Sequence, residues 1–304
     1  MSRLDNALPE GTRIDNYVIE KTLGGGGFSV VYRAIDPSTS EQVVIKEYFP
    51  NGIATRNDEM QVVPVSEDQA DRLSHGRRLF FQEAGTLTTL KHPNIVDVKT
   101  FFRANGTVYM VMDYEKGFNL QTYIKKHGGK LSERFINIVF IPLLEGLGVI
   151  HKSGLLHLDI KPGNVYLRAG GNPLLLDFGA AHEMMHTRQF QSNQVVTPGF
   201  SPIEQLDPAG YVGPWTDLYA LGATMRACIE GTPPPASPVR REKDTMRPAV
   251  SAFKKHYSKT LLKAIDKAME VDPMSRPQSV DELLSLMPAR ESEPLTETEL
   301  SQDN

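Results

Sequence analysis

The chain of 304 residues carries a single cysteine, Cys228. One thiol cannot close an internal disulfide, and its scarcity fits a reducing cytosol. Charge of neither sign dominates: 33 Lys and Arg stand against 37 Asp and Glu, a net charge of −4. That balance gives no footprint for nucleic acid or an anionic membrane as the main partner. A long apolar run is missing too. Residues 1–10 are polar and lack the core of a secretory signal. The most apolar stretch, residues 135–150, is interrupted by Asn137, Pro142 and Glu145. It reads as too short to span a bilayer and as a buried helix instead. No internal repeat is visible. Apolar content of 40% and charged content of 23% are those of a globular protein, and the expected setting is cytoplasmic.

The first half is rich in strand signals. Residues 17–23 and 30–35 flank a glycine cluster, and 41–48 form a β-branched run. Residues 95–103 and 107–114 are joined by Ala104-Asn105-Gly106, a hairpin signal. A helix is predicted over about 68–91, with Leu79, Phe80, Leu87 and Leu90 at helical spacing. The second half is mostly helical. Ser132 and Glu133 open a helix running to about Lys152, which Pro142 should kink or break. Short strands are expected near 165–167 and 174–176, and helices over 216–230, 259–269 and 279–286. Sheet first and helices afterwards predicts an α+β protein with two lobes. Residues 291–304 are polar and acidic and read as a disordered or loosely docked tail.

Four features bear on chemistry. Residues 23–32 read L-G-G-G-G-F-S-V-V-Y. Glycines let backbone approach phosphates closely, although a flexible turn would use them equally well. No helix begins there, which argues against a Rossmann or Walker loop. Lys46 ends the run Val43-Val44-Ile45, on the strand after the glycine hairpin. It can snorkel to the surface or reach the phosphates under the loop. Glu83, on the next helix, can pair with it or line a solvated face. Residues 157–164 read H-L-D-I-K-P-G-N, and Asp177-Phe178-Gly179 follow a short apolar strand. Asp159 can accept a hydroxyl proton and Lys161 can neutralise phosphate. Asn164 and Asp177 are oxygen ligands suited to Mg²⁺. Each turn taken alone reads first as a polar turn bounding a hairpin.

In this order the motifs resemble those of the eukaryotic-type protein kinases, over about residues 12–286. Residues 197–204 are similar to the segment that ends the family's activation loop in Ala-Pro-Glu. Asp217 resembles the aspartate that braces the catalytic loop, and Arg276 the arginine that pairs with the Glu204 position. The resemblance implies a kinase domain over 12–287, with an N-lobe at about 12–112 and a C-lobe at about 116–287. Residues 1–11 form an extension and 288–304 a tail. It implies serine/threonine specificity through Lys161 and Thr197, and residues 46–50 and 197–205 look bacterial. Asp159 would be the catalytic base. Lys46 would bind α- and β-phosphates, and Glu83 would hold Lys46. Asn164 and Asp177 would hold two Mg²⁺, with Mn²⁺ as a substitute. The nucleotide set implied is Leu23, Gly24, Gly25, Gly26, Gly27, Phe28, Ser29, Val30, Val31, Val44, Met112, Asp113, Tyr114, Glu115 and Tyr166. The partners implied are ATP, a protein substrate and a regulatory protein.

The departures from the family are specific. Ser29 replaces the loop's third glycine, Val44 replaces an alanine against adenine, and Ile203 replaces the proline of Ala-Pro-Glu. Leu158 replaces the arginine beside Asp159. Leucine cannot bind an activation-loop phosphate, so dependence on such phosphorylation should be weak. Residues 51–76 form a polar insertion, expected to be a loop or an extra hairpin, and either a tolerated surface feature or a regulatory one. Two rival functions compete with this reading. A non-catalytic pseudokinase is disfavoured because Lys46, Glu83, Asp159, Asn164 and Asp177 are all present. A small-molecule kinase is disfavoured by residues 197–204, Asp217 and Arg276.

Overall fold

The structure, a computed structural model, describes residues 6–176, 196–207, 209–289 and 295, and the backbone of 182–183. The chain divides into two compact units, Met1–Lys91 with Val96–Glu115, and His92–Ile95 with Lys116–Asn304.

In the first unit the strands are β1 (Arg13–Ile14), β2 (Tyr17–Gly25), β3 (Ser29–Asp36), β4 (Glu41–Tyr48), β5 (Ala54–Arg56), β6 (Val62–Pro64), β7 (Val98–Ala104) and β8 (Thr107–Asp113). Helix α1 (Ala70–Leu87) stands between β6 and β7. Six strands form one antiparallel sheet in the order β1-β2-β3-β4-β8-β7, while β5 and β6 pair only with each other. The Asn105-Gly106 turn has positive φ at both residues, 48° and 68°, as a type I′ hairpin requires. Successive side chains on a strand point to opposite faces. On β4 this puts Ile45 and Glu47 on one face and Lys46 and Tyr48 on the other, yet all four are buried. Something therefore covers each face at that end. Phe80 of α1 meets Tyr48 at 5.5 Å between ring centroids. Arg56 of β5 reaches Glu47.

Helix α1 is shorter than predicted and follows a single 3-10 turn, Glu67–Gln69. Leu73, Phe80, Ala84 and Leu87 form its buried stripe. Leu79 is 43% exposed and does not belong to it. It adjoins Phe80 in sequence, but the neighbouring residue is turned about 100° around the helix. The 51–76 insertion contains the β5–β6 hairpin, and its last residues are the first turns of α1.

The second unit contains β9 (Phe118–Asn119), α2 (Leu120–His127), α3 (Glu133–Lys152), β10 (Leu155–Leu156), β11 (Val165–Leu167), β12 (Pro173–Leu175) and β13 (His182–Glu183). It continues with α4 (Ile203–Leu206), α5 (Pro214–Glu230), α6 (Ser237–Glu242), α7 (Ala249–Ala252), α8 (Lys259–Ala268) and α9 (Val280–Leu286). The Ser132 hydroxyl caps α3 by accepting from the Phe135 N–H. The helix runs through Pro142 without a break. Its length and apolarity do reach those of a membrane-crossing helix, so length was the wrong criterion. Most of that apolar surface is buried inside the unit, and Phe135, Ile136, Val139, Phe140, Leu144, Leu147 and Ile150 are each at most 1% exposed. Burying such side chains contributes roughly 1.5–3 kcal/mol each. Ile95, expected in a strand with 96–103, instead bridges Leu175 of β12. The adjoining Asn94 side chain donates to the Pro173 carbonyl at 2.7 Å. Helix α5 is buried almost throughout, and burial pushes the Cys228 thiol far above its ordinary value. In the expected tail, Leu295 is buried and its N–H donates to the Gly170 carbonyl at 3.1 Å. Residues 290–294 and 296–304 lie outside the described residues.

Candidate active site

Each unit carries part of the motif set. In the first, Gly25 pairs with Val30 across the β2–β3 hairpin, whose tip is Gly26, Gly27 and Phe28. The tip is tied at both ends of its backbone. The Gly26 N–H donates to the Ser29 carbonyl at 2.9 Å, and the Phe28 and Gly27 carbonyls accept from the Phe49 and Asn51 N–H groups at 2.8 Å. A Cβ at Gly25 would stand 2.9 Å from the Ser29 carbonyl oxygen, so glycine is required for the hairpin itself. Leu23 and Gly24 precede the tip on β2, and Ser29, Val30 and Val31 follow it on β3.

Lys46 is 5% exposed and its neighbours in the sheet are Val31 and Met110. Its ammonium lies 5.8 Å from the centre of the Phe80 ring. Glu83 lies three residues beyond Phe80 on α1, on the same side of the helix. Val44 pairs with Met112, and Asp113 closes β8 just before Tyr114 and Glu115.

The second unit builds the loop around Asp159. Asp217 of α5 is fully buried. Its Oδ2 accepts from the His157 N–H at 2.9 Å and its Oδ1 from the Leu158 N–H at 2.8 Å. His151 Nε2 lies 2.8 Å from Oδ2. Burial alone would raise this carboxyl, but His151 and the backbone donors outweigh it and hold its pKa below the ordinary value. With the carboxylate ionised, His151 Nε2 is the donor. Leu158 has a left-handed φ of 61°, unusual for a residue with a Cβ, and its carbonyl accepts from the Gln205 side chain at 2.7 Å. Two hydrogen bonds, at its N–H and its carbonyl, thus hold this left-handed residue beside Asp159.

Asp159 is 8% exposed and surrounded by donors. Lys161 Nζ donates to both carboxylate oxygens, at 2.9 and 2.8 Å. The Asn164 amide donates to the Asp159 carbonyl and to Oδ2, at 2.8 and 2.9 Å. The Thr197 hydroxyl donates to Oδ1 at 3.2 Å. With the Asn164 nitrogen so used, its Oδ1 is the atom suited to a hard cation, which prefers oxygen. Among the described residues no group of three or more His, Cys, Asp or Glu could hold a metal. Asp177, Phe178 and Gly179 lie outside the described residues, as do Thr187 and Ser192, expected phosphosites of the activation segment, and Arg188, a candidate partner for their phosphate. Tyr166 lies on β11, half-buried, opposite Leu174.

Thr197 is held in turn. Its N–H donates to the Ser201 hydroxyl at 3.0 Å, and the Ser201 carbonyl accepts from Ser237 at 2.8 Å. Glu204 and Arg276 form a buried pair with N–O distances of 2.6 and 3.2 Å, joined by the Thr216 hydroxyl and by the Tyr219 ring under the guanidinium. Sequence reasoning named Asp217, Glu204 and Arg276 but missed His151, Gln205 and Thr216. The His151 signal was available: it lies in the last turn of α3, six residues ahead of His157.

One unit thus carries a glycine hairpin and a buried lysine, and the other a braced loop with an aspartate, a lysine and an asparagine. The family model described as protein kinase domain matches residues 17–286, and the chain belongs to that family. It is 29% identical to the serine/threonine-protein kinase PknA of Nostoc sp. over 284 residues, covering 90% of this chain and 47% of that protein. It is also 29% identical to PknK of Mycobacterium tuberculosis over 265 residues, covering 84% of this chain and 22% of that protein. The chain thus spans about half the length, or less, of these curated relatives. A solved structure titled PpkA-294 apo form matches with a TM-score of 0.82 and 36% identity, covering 93% of this chain and all of that one.

Proposed function

We propose that this chain transfers the γ-phosphoryl group of ATP to serine or threonine hydroxyls of a protein, in the cytoplasm. The observation that carries the reading is the setting of Asp159. Its carboxylate already accepts a hydroxyl hydrogen bond from Thr197, flanked by the Lys161 ammonium. A substrate hydroxyl in the same relation would give its proton to Asp159 as its oxygen attacks the γ-phosphorus, and ADP would leave. Lys161 would offset charge on the transferred group, and Lys46, held by Glu83, the charge on the α- and β-phosphates. The bare backbone of Gly26 and Gly27 suits close approach to phosphate. Asn164 and Asp177 would hold Mg²⁺, or Mn²⁺ in its place, which neutralises phosphate charge when bound. Leu158 is 3% exposed and carries no charge, so an activation-loop phosphate finds no cation at that position. Control then rests on other contacts, such as a regulatory protein.

The test is incubation with radiolabelled ATP, Mg²⁺ and a general protein acceptor, beside an Asp159→Asn control. Label on serine and threonine that drops at least a hundredfold in the control supports the reading. Equal labelling by both proteins would sink it.

A further inference from the structure

Beside Lys46, on the opposite face of β4, lies a buried polar cluster that phosphoryl transfer does not use. Glu47 is 0% exposed. Its Oε2 accepts from the Tyr32 hydroxyl and from Arg56 Nη2, each at 2.7 Å, and its Oε1 accepts from the Tyr109 hydroxyl at 2.7 Å. Burial, and then the Glu47 charge, push both phenols well above their ordinary pKa, so both remain donors. Burial alone would lower the Arg56 guanidinium, but the Glu47 carboxylate takes it above its usual value. The other nitrogens of Arg56 donate to the Met60 and Asn6 carbonyls, each at 2.9 Å. A buried carboxylate with three donors survives only while its cation stays in place. The cluster therefore fixes where β5 lies.

The β5–β6 hairpin then crosses the end of the sheet. The Val62 N–H donates to the Asn105 carbonyl in the β7–β8 turn at 2.8 Å, and the Val62 carbonyl accepts from Arg77 of α1 at 3.2 Å. On the α1 side, a Cβ at Gly76 would fall 1.8 Å from the Tyr48 hydroxyl oxygen, so helix and strand touch without room for a side chain. One face of the sheet is thereby linked to the helix on the other.

We propose that the Glu47–Arg56 pair is a positioning device for α1, pinning the hairpin so that the helix presents Glu83 to Lys46. This rests on the reading of Lys46 and Glu83 as the phosphate-holding pair. A charge pair on the far face of the strand thus sets the rate of transfer without touching ATP, and the 51–76 insertion is its carrier. Arg77 is the link from hairpin to helix.

The experiment is a mutant cycle read in kcat and in KM for ATP. Arg56→Ala and Arg77→Ala should each lower kcat about tenfold, with Arg56→Lys restoring part of it. In a Glu83→Gln background, already slow, Arg56→Ala should add less than a twofold loss, because both changes break one route. A variant in the second unit, Ile265→Val, serves as the comparison for lost stability. At equal loss of melting temperature it should keep wild-type kcat. If Arg56→Ala does not fold, Glu47→Gln takes its place, and hydrogen exchange of the α1 amides should rise while that of α8, in the second unit, stays unchanged. A tenfold loss that multiplies in the Glu83→Gln background, or wild-type kcat in Arg56→Ala, would overturn the proposal. So would wild-type kcat in Glu83→Gln, and that result would leave phosphoryl transfer itself to the Asp159→Asn control.

Discussion

Replacing Asp217 by alanine should loosen the loop around Asp159 before it unfolds the protein. The wild-type carboxylate accepts from the His157 and Leu158 N–H groups and from His151. Alanine strands two buried backbone donors, each costing about 1–3 kcal/mol, or about 2–6 together. Leu158 would then relax from its φ of 61°, returning about 1–2 kcal/mol of left-handed strain. The net loss of stability is about 0–5 kcal/mol by the same two estimates, with a centre of roughly 2–3. Because Leu158 adjoins Asp159, that relaxation moves the carboxylate, and a shift of about 1 Å can lower the rate about a hundredfold. Asp217→Asn keeps one acceptor oxygen and should fall between. Urea melts give the first quantity, and initial rates well below the melting temperature give the second. Acid provides a third reading. The Asp217 pKa is depressed in the folded protein. Its contribution is therefore fully present above the unfolded aspartate value near ~4 and is lost as pH falls through the lower folded value. Wild type should show this loss and Asp217→Asn should not. An alanine variant that melts within about 0.5 kcal/mol of wild type and keeps full kcat would refute the reasoning, since that is the range of an ordinary surface substitution.

Lys46→Ala should reduce kcat/KM at least a hundredfold while shifting the urea midpoint little, because the lysine acts on phosphate charge; an unfolded variant would show a structural role instead. Phosphatase-treated, mass-verified protein should act on substrate within about tenfold of the autophosphorylated form, equal to roughly 1.4 kcal/mol of barrier. A larger loss, restored by rephosphorylation of residues 177–204, would contradict the meaning given to Leu158. Arg276→Met should destabilise by about 3–5 kcal/mol, leaving the Glu204 carboxylate buried and unpaired, and Glu204→Leu in the same chain should recover much of that; calorimetric melts of the single and double variants decide it.

How much was legible in the sequence depends on what kind of signal each feature leaves. The Ser132 cap, the Asn105-Gly106 turn and the β4 limits were read directly, because local chemistry determines them. Leu79 was misassigned because spacing lists apolar positions without saying which stripe meets the core. The length of α3 did not separate a core helix from a membrane one; its burial does. The hydrogen bonds of Asp217 join residues about 60 apart, and only its resemblance to a bracing aspartate suggested them. The Glu47 cluster was missed altogether. Its one clue is the alternation Lys46-Glu47-Tyr48 at the end of an apolar strand, which puts a carboxylate behind the lysine. Nothing local shows that Arg56 and two tyrosines wait there.

The single cysteine has a practical consequence. Cys228 is buried in α5 with its thiol held protonated, so thiol-reactive dyes and spin labels should pass it by. The wild-type chain is then already a silent background for labelling. Exposed positions such as Leu79 on α1 and Met60 in the β5–β6 turn can take one engineered cysteine each, and a pair of labels there would report hairpin-to-helix distances in solution without a single native residue being removed to quiet the signal.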